Sequence, residues 1–410
     1  MTFTTRSKRA AVSICVLATV AALTLTACGD DDEGPSAATP SPTLEGDPIK
    51  IMAIDDATTP GDTDEQSFVG AEAGAKTIND AGGIDGRPIQ IIRCDTKQDA
   101  NIAADCARTA VKDEVIAVIQ LGAFGDTIMP ILEPAGIPSV ANALVSPMEL
   151  SSELSFPIMG GFFPFVAGAA TIIADQGGEK INFAIADVGG LADAASAFAG
   201  MGLQARGLTL NGTTPIPPGA ADFSTQAAAA LGDGTDGVAL ATDPQDTPRL
   251  VKALREADED VMIASNTQSM RADGIGVLGD AAEGVLLVSS FRPITDGSPE
   301  MKTFVSNMDA IDDSAVKGDL AINDYLGVQL IASVLDGAAS IDSASLVAGL
   351  NEVDGLDLVL APPIQFQTPK ELIPDATRLF STQLTYLQIE DGKAVQITDG
   401  FVDPFTAPAG

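Results

Sequence analysis

The chain holds no histidine. That absence removes Ser-His-Asp and Cys-His triads, histidine acid/base pairs and imidazole metal ligands together. Few other residues could do chemistry. Adjacent acids such as Asp55 with Asp56, or Asp312 with Asp313, could serve acid/base work only if the fold brought them further partners, and solvated faces are the simpler reading. Gly274, Gly276 and Gly279 match G-x-G-x-x-G, but a dinucleotide site needs a strand directly before that pattern and a helix directly after it. The strand candidate before it ends near Ala264, and Gly279 leads into DAAEGVLLV, which returns to strand character, so these glycines read as a loop. P-loop, nucleophile-elbow and EF-hand patterns are missing, and the acids Asp30 to Glu33 lie in a segment too flexible to build a rigid cage. The expectation is a chain with no catalytic centre, no cofactor and no metal.

Cysteine chemistry says more. Arg6, Lys8 and Arg9 precede an apolar run from Ala10 to Ala27, the layout of an export signal over residues 1–27. Leu25, Thr26, Ala27 and Cys28 resemble the lipobox of bacterial lipoproteins, which implies that Cys28 becomes a diacylated mature N-terminus held to the outer face of the cell membrane. An uncleaved anchor is the other reading, though an 18-residue run is barely long enough to span a bilayer. In an oxidising exterior, Cys94 and Cys106 read as a disulfide worth about 3 kcal/mol, with two buried free thiols as the alternative. Residues 28–47 are rich in Pro, Ser, Gly and acid and read as a disordered tether.

The elements that must position any binding residues alternate along the rest of the chain. At 410 residues with 45% apolar content, two globular lobes are expected. The 57 acidic residues against 22 basic ones give a net charge of −35, which excludes nucleic acid and anionic surfaces as partners and otherwise reads as a solvated exterior. Strand and helix patterns follow one another: strand Ile49 to Ile54, helix Phe68 to Asn79, strand Ile89 to Ile92, helix Asp99 to Val111, strand Val115 to Gln120, helix Ile128 to Ala135 and strand Pro138 to Ala141. A second set runs through strand Ile181 to Ala186, helix Asp193 to Met201, strand Leu208 to Leu210, helix Ser224 to Leu231, strand Gly237 to Ala241 and helix Thr247 to Ala257. Later strands at Val285 to Phe291 and Pro363 to Phe366, with helices at Ala321 to Gly337 and Ser345 to Val353, could carry the chain back between lobes. Such order predicts α/β architecture with parallel sheets covered by helices.

Within that frame, TINDAGGIDGRP at Thr77 to Pro88 resembles the I-N-x-x-G-G-I-x-G signature of leucine/isoleucine/valine-binding proteins, the type I periplasmic binding proteins. GDAAEG at Gly279 to Gly284 and PAGIPSV at Pro134 to Val140 match further elements of that family, and the resemblance runs from about Pro48 to Ile397. It implies two Rossmann-like lobes with parallel sheets, joined by a three-segment hinge near Pro157, Phe291 and Phe366. The first lobe would comprise 48–157 and 292–362, the second 158–291 and 363–410. It also implies a solute held in the cleft between them, beyond the carboxyl ends of the strands. Carried over position by position, the ligand contacts fall on Gly122, Ala123, Phe124, Asn142, Ala143, Leu144, Leu191, Thr242, Asp243 and Asn266. The family's hydroxyl-bearing loop reads Gly122-Ala123-Phe124-Gly125 in this chain, and its ammonium-pairing acid falls on Asn266, which leaves Asp243 as the sole replacement.

The functional expectation is a monomeric, lipid-anchored solute-binding component of an ABC importer. It would capture a small organic solute (amino acid, amide, urea or carboxylate-like) and deliver it to a membrane permease without chemistry on it. A ligand-sensing ectodomain or regulator on the same fold is the alternative, and a membrane span after the fold would favour it.

Overall fold

The computed structural model describes residues 44–59, 62–63, 65–120 and 122–408, all within one compact unit. The export segment 1–27, Cys28 and residues 28–43 of the tether lie outside the described residues. Among the described residues, contacts begin ahead of Pro48. The Glu45 amide donates to the Gly86 carbonyl at 2.8 Å, and Arg87 Nε donates to the Asp47 carbonyl at 2.9 Å.

The chain opens with β1 (Ile49–Asp55), the short antiparallel pair β2 (Thr58–Thr59) and β3 (Asp62–Thr63), α1 (Gln66–Asp80), β4 (Ile89–Asp95), α2 (Ala100–Lys112) and β5 (Ala117–Ile119). It continues through α3 (Gly125–Leu132), β6 (Ser139–Val140), α4 (Pro147–Ser151) and β7 (Ser155–Phe156). Five of these strands form a parallel sheet in the order β4-β1-β5-β6-β7. Successive residues of β1 serve opposite faces, as pleating requires. Ile51 and Ala53 join a core with α1, while Met52 and Ile54 join a second core with α2 and α3.

The second lobe runs α5 (Phe162–Asp175), β8 (Ile181–Ala186), α6 (Leu191–Gln204), β9 (Gly212–Ile216), α7 (Ser224–Ala230), β10 (Gly237–Ala241), α8 (Thr247–Ala257), β11 (Met262–Asn266), α9 (Ala272–Leu278) and β12 (Leu286–Ser289). The chain then returns to the first lobe with α10 (Pro299–Asp312), α11 (Asp319–Leu335), α12 (Ser343–Asn351), β13 (Asp354–Leu356) and β14 (Ile364–Gln365). It ends on the antiparallel strands β15 (Thr385–Glu390) and β16 (Lys393–Gln396), which complete a second sheet in the order β16-β15-β12-β11-β10-β8-β9. This sheet too is covered on both faces. Phe165, Ile173 and Phe198 fill one side with α5 and α6, and Val238, Leu250 and Leu254 fill the other with α8. The molecule is therefore an α/β structure of two parallel-rich lobes.

Several elements differ from the sequence reading. The strand expected at Leu208 to Leu210 is instead a connection, and pairing begins at Gly212. Pro215 within β9 is compatible with pairing because β9 lies at the sheet edge, where a missing amide can face solvent. Helix α5 was not anticipated: FFPFVAGAATIIAD is apolar all round, so it shows no amphipathic period, and it is buried accordingly. Ile364 and Phe366, read as part of the return to the second lobe, pack in the first-lobe core with Phe380. Arg378 holds this segment down, its Nε donating to the Ser155 carbonyl at 2.6 Å between the rings of Phe156 and Phe380.

Cys94, near the end of β4, and Cys106, in α2, are joined as a disulfide with Cα atoms 5.8 Å apart. Among the described residues, no helix is long and apolar enough to cross a membrane.

Candidate functional site

Strand ends from both lobes meet around a cavity of about 280 Å³. The first lobe and the connection leaving it supply Ala143, Val145, Met159 and Gly161. The second lobe supplies Phe162 and Phe165 from α5, Ile185 and Ala186 from β8, Leu191 from the start of α6, Ala241 and Thr242 after β10, and Asn266, Gln268 and Ser269 after β11. Parallel strands make this convergence automatic: every β-to-α loop emerges at the same edge of its sheet. Among the described residues no charged side chain lines the cavity.

Its polar groups are few and partly committed. Asn266 Oδ1 accepts from the backbone amides of Gln268 at 3.0 Å and Ser269 at 2.9 Å, a local turn that fixes the side chain. Its Nδ2 has no partner among the described residues, so the group it can offer a solute is a donor. The Thr242 hydroxyl lies 2.6 Å from that of Thr247 at the start of α8. Gln268 and Ser269 are the other polar residues of the lining, and the rest of the wall is apolar, which suits the body of an organic solute rather than a bare ion.

Of the residues expected from sequence, Ala143, Leu191, Thr242 and Asn266 come together around this cavity. The other six are placed elsewhere. Asn142 is fully buried, its Nδ2 tying β6 to β7 through Ser139 Oγ at 3.1 Å and Ser155 Oγ at 2.8 Å, and Leu144 is buried beside it. Phe124 packs on the core beneath α3. Gly122 and Ala123 lie at the carboxyl end of β5, where the Ala123 amide donates to Asp56 Oδ2 at 3.0 Å. Gly122 adopts φ +54°, and a Cβ there would stand 2.8 Å from the same Asp56 oxygen. Asp243 is exposed and uses its Oδ1 to accept the amides of Gln245 and Asp246, both at 2.9 Å, at the approach to α8. It therefore acts as a local cap rather than as a replacement acid in the cavity wall.

The sequence reading did not single out Met159, Gly161, Phe165, Ile185 or Ser269. The one available signal was the Gly160-Gly161 pair ahead of an aromatic run, marking a backbone turn into a buried helix. Below the first-lobe wall, Glu149 is buried and accepts from the amides of Ser146 at 2.8 Å and Val145 at 3.2 Å. Burial pushes its carboxyl up to about 6, against these hydrogen bonds, which favour the charged form.

Known structures share this architecture. A leucine binding protein from Thermotoga maritima is 16% identical, with a TM-score of 0.68 over 87% of this chain and 99% of that one. An ABC transporter substrate-binding protein from Sphaerobacter thermophilus is 18% identical, with a TM-score of 0.70 over 88% and 99%. A branched-chain amino acid transporter substrate binding protein from Streptococcus pneumoniae, solved in complex with isoleucine, is 17% identical, with a TM-score of 0.67 over 86% and 100%. No curated protein matches the sequence. At such identities the likeness establishes the fold, and the family rests on a separate match: residues 48–392, most of the chain, fit the profile described as periplasmic binding protein. The chain belongs to the periplasmic binding protein family, whose members bind solutes.

Proposed function

We propose that this protein is the extracytoplasmic solute-binding component of an ABC importer, capturing a small organic solute between its lobes and delivering it to a membrane permease. The observation that carries this reading is the cavity itself: both lobes contribute walls, and the lining is largely apolar with Asn266 among its few polar residues. Binding there would be strengthened by closure of the lobes, because a solute that touches both walls stabilises the closed arrangement by its extra contacts. Ligand-stripped protein should gain several degrees of thermal stability with at least one solute from a screen of amino acids, amides, ureas, aromatic acids and polyols. A screen in which nothing shifts the transition would count against solute capture.

The same proposal has residues 1–27 removed on export and Cys28 acylated, leaving a monomer anchored to the outer face of the bacterial cell membrane. Cys28→Ala should move the protein from the membrane fraction to the soluble fraction and abolish lipid labelling. Unchanged fractionation would refute the anchor. Free leucine, isoleucine and valine should bind weakly, since an α-ammonium would meet the Nδ2 donor of Asn266 and find no carboxylate in the lining.

A further inference from the structure

The chain passes between the lobes at residues 157–161, 290–298 and 381–384, and the last two passages are fastened at one polar junction. Asp319, at the first turn of α11 in the first lobe, is buried there, and its two carboxylate oxygens accept from Ser289 Oγ at 2.9 and 3.0 Å. Its Oδ2 also accepts from the Ser290 amide at 3.2 Å. Ser289 ends β12 of the second sheet, and Ser290 begins the return to the first lobe. Thr385, which opens β15 after the last passage, donates its hydroxyl to the Ser289 carbonyl at 3.2 Å and to the Phe291 carbonyl. The Asp319 carboxylate further faces Thr267, whose amide donates to the Val288 carbonyl at 3.1 Å. Thr267 stands between Asn266 and Gln268, two residues of the cavity wall, so a first-lobe acid holds a loop of the second-lobe wall.

We propose that Asp319 is a positioning residue for solute capture, a latch that ties the 266–269 loop and the exit of β12 to the first lobe and releases them when its carboxyl ionises. Its bearing on capture rests on the reading of the cleft as the solute site. The groups facing the carboxyl are hydroxyls and one amide. Charged side chains on the surrounding elements are engaged elsewhere. Glu65 ahead of α1 pairs with Arg93, Lys317 ahead of α11 with Asp309 of α10, and Arg292 after β12 with Asp296. Arg271 Nε donates to the Gln268 carbonyl at 3.2 Å, and Asp324, further along α11, is set against Asp55. Among the described residues no cation pairs with Asp319, so its ionised form is a buried charge that desolvation penalises, and burial pushes its carboxyl up to about 6. Water relieves that penalty if α11 and the exit of β12 part. A group whose pKa is raised in the latched arrangement supports it fully below about pH 4 and loses its hold as pH rises through about 6.

Electron–electron resonance distances between the lobes test the latch with no solute present. The full chain would carry Cys15→Ser and Cys28→Ser, with spin labels at Thr109→Cys on α2 and Lys252→Cys on α8, exposed positions of opposite lobes. With Asp319 intact, the ratio of displaced to latched distances should rise about tenfold from pH 5 to pH 8. Asp319→Asn keeps an acceptor for Ser289 and has no proton to lose, so it should hold the pH 5 distribution at both values. Asp319→Ala should show displaced distances at both. Distances that do not respond to pH with Asp319 intact overturn the proposal, as does an equal pH response in Asp319→Asn or an Asp319→Ala chain that stays latched. If Asp319→Ala does not fold, the other two profiles decide. Failure of the cleft reading would show differently, as a pH response of the distances alongside a thermal screen in which no solute shifts the transition.

Discussion

Asp319 is buried at the first turn of α11, on the first-lobe side of a junction with the second. Its carboxylate accepts from Ser289 Oγ at 2.9 Å and from the Ser290 amide at 3.2 Å, where the chain leaves β12. Burial pushes its carboxyl up to about 6, against the pull of Thr267, Ser289 and Ser290, whose hydrogen bonds favour the charged form. Because the folded protein holds this proton to higher pH than the unfolded chain, the group's contribution to stability is full below about pH 4 and falls as pH rises through about 6. Asparagine has no proton to lose. Chemical denaturation of Asp319→Asn should therefore show it gaining on wild type by about 2 to 3 kcal/mol between pH 4 and pH 7, and a stability difference independent of pH would contradict this. The residue scale is also where sequence was least informative. Asn142 and Asp243 have the side chains a solute would need, yet one ties two strands together and the other caps a helix approach. Nothing in residue type distinguishes those duties from ligand contact.

At the scale of elements, β-to-α alternation and apolar runs located most of the structure, because a strand buried on both faces and an amphipathic helix leave different periods. Helix α8 shows this well: Leu250, Val251 and Leu254 face the core while Arg249, Lys252 and Arg255 do not. The period fails for α5, which is buried nearly all round. Terminal strands β15 and β16 pair with each other across the turn at Asp391-Gly392, but what seats them in the sheet is the pairing of β15 with β12, far away in sequence. Helix–helix distance is another property that sequence hides. Gly70 of α1 sits so close to α11 that a Cβ would fall on the Ala321 carbonyl. In an open helix, Gly→Ala gains up to about 1 kcal/mol, but at this contact overpacking should reverse the sign. Gly70→Ala should cost about 2 kcal/mol in urea unfolding, whereas Gly200→Ala in α6, which meets open space, should be neutral or stabilising. Equal effects at the two sites would show that α1 and α11 can separate freely.

At the scale of the molecule, two sheets with their strand ends turned toward a shared cavity explain why the chain crosses between lobes three times. Residues 157–161, 290–298 and 381–384 lead from one sheet to the other. The sequence motifs at Thr77 to Pro88 and Gly279 to Gly284 were enough to place the chain in its family because they fix tight turns at a helix end and ahead of a strand. The cavity wall was only partly legible, since half of it comes from α5 and strand ends whose apolar residues look like ordinary core. Leu191, at the start of α6, lines the cavity and packs against the second-lobe core, so added bulk there would fill the cavity. The most direct measurement is calorimetry of the tightest-binding solute with wild-type protein and with Leu191→Trp. The account predicts one site per chain in wild type and affinity at least roughly a hundredfold weaker in the variant, while equal affinity in the two proteins would place the solute outside the interlobe cavity and contradict it.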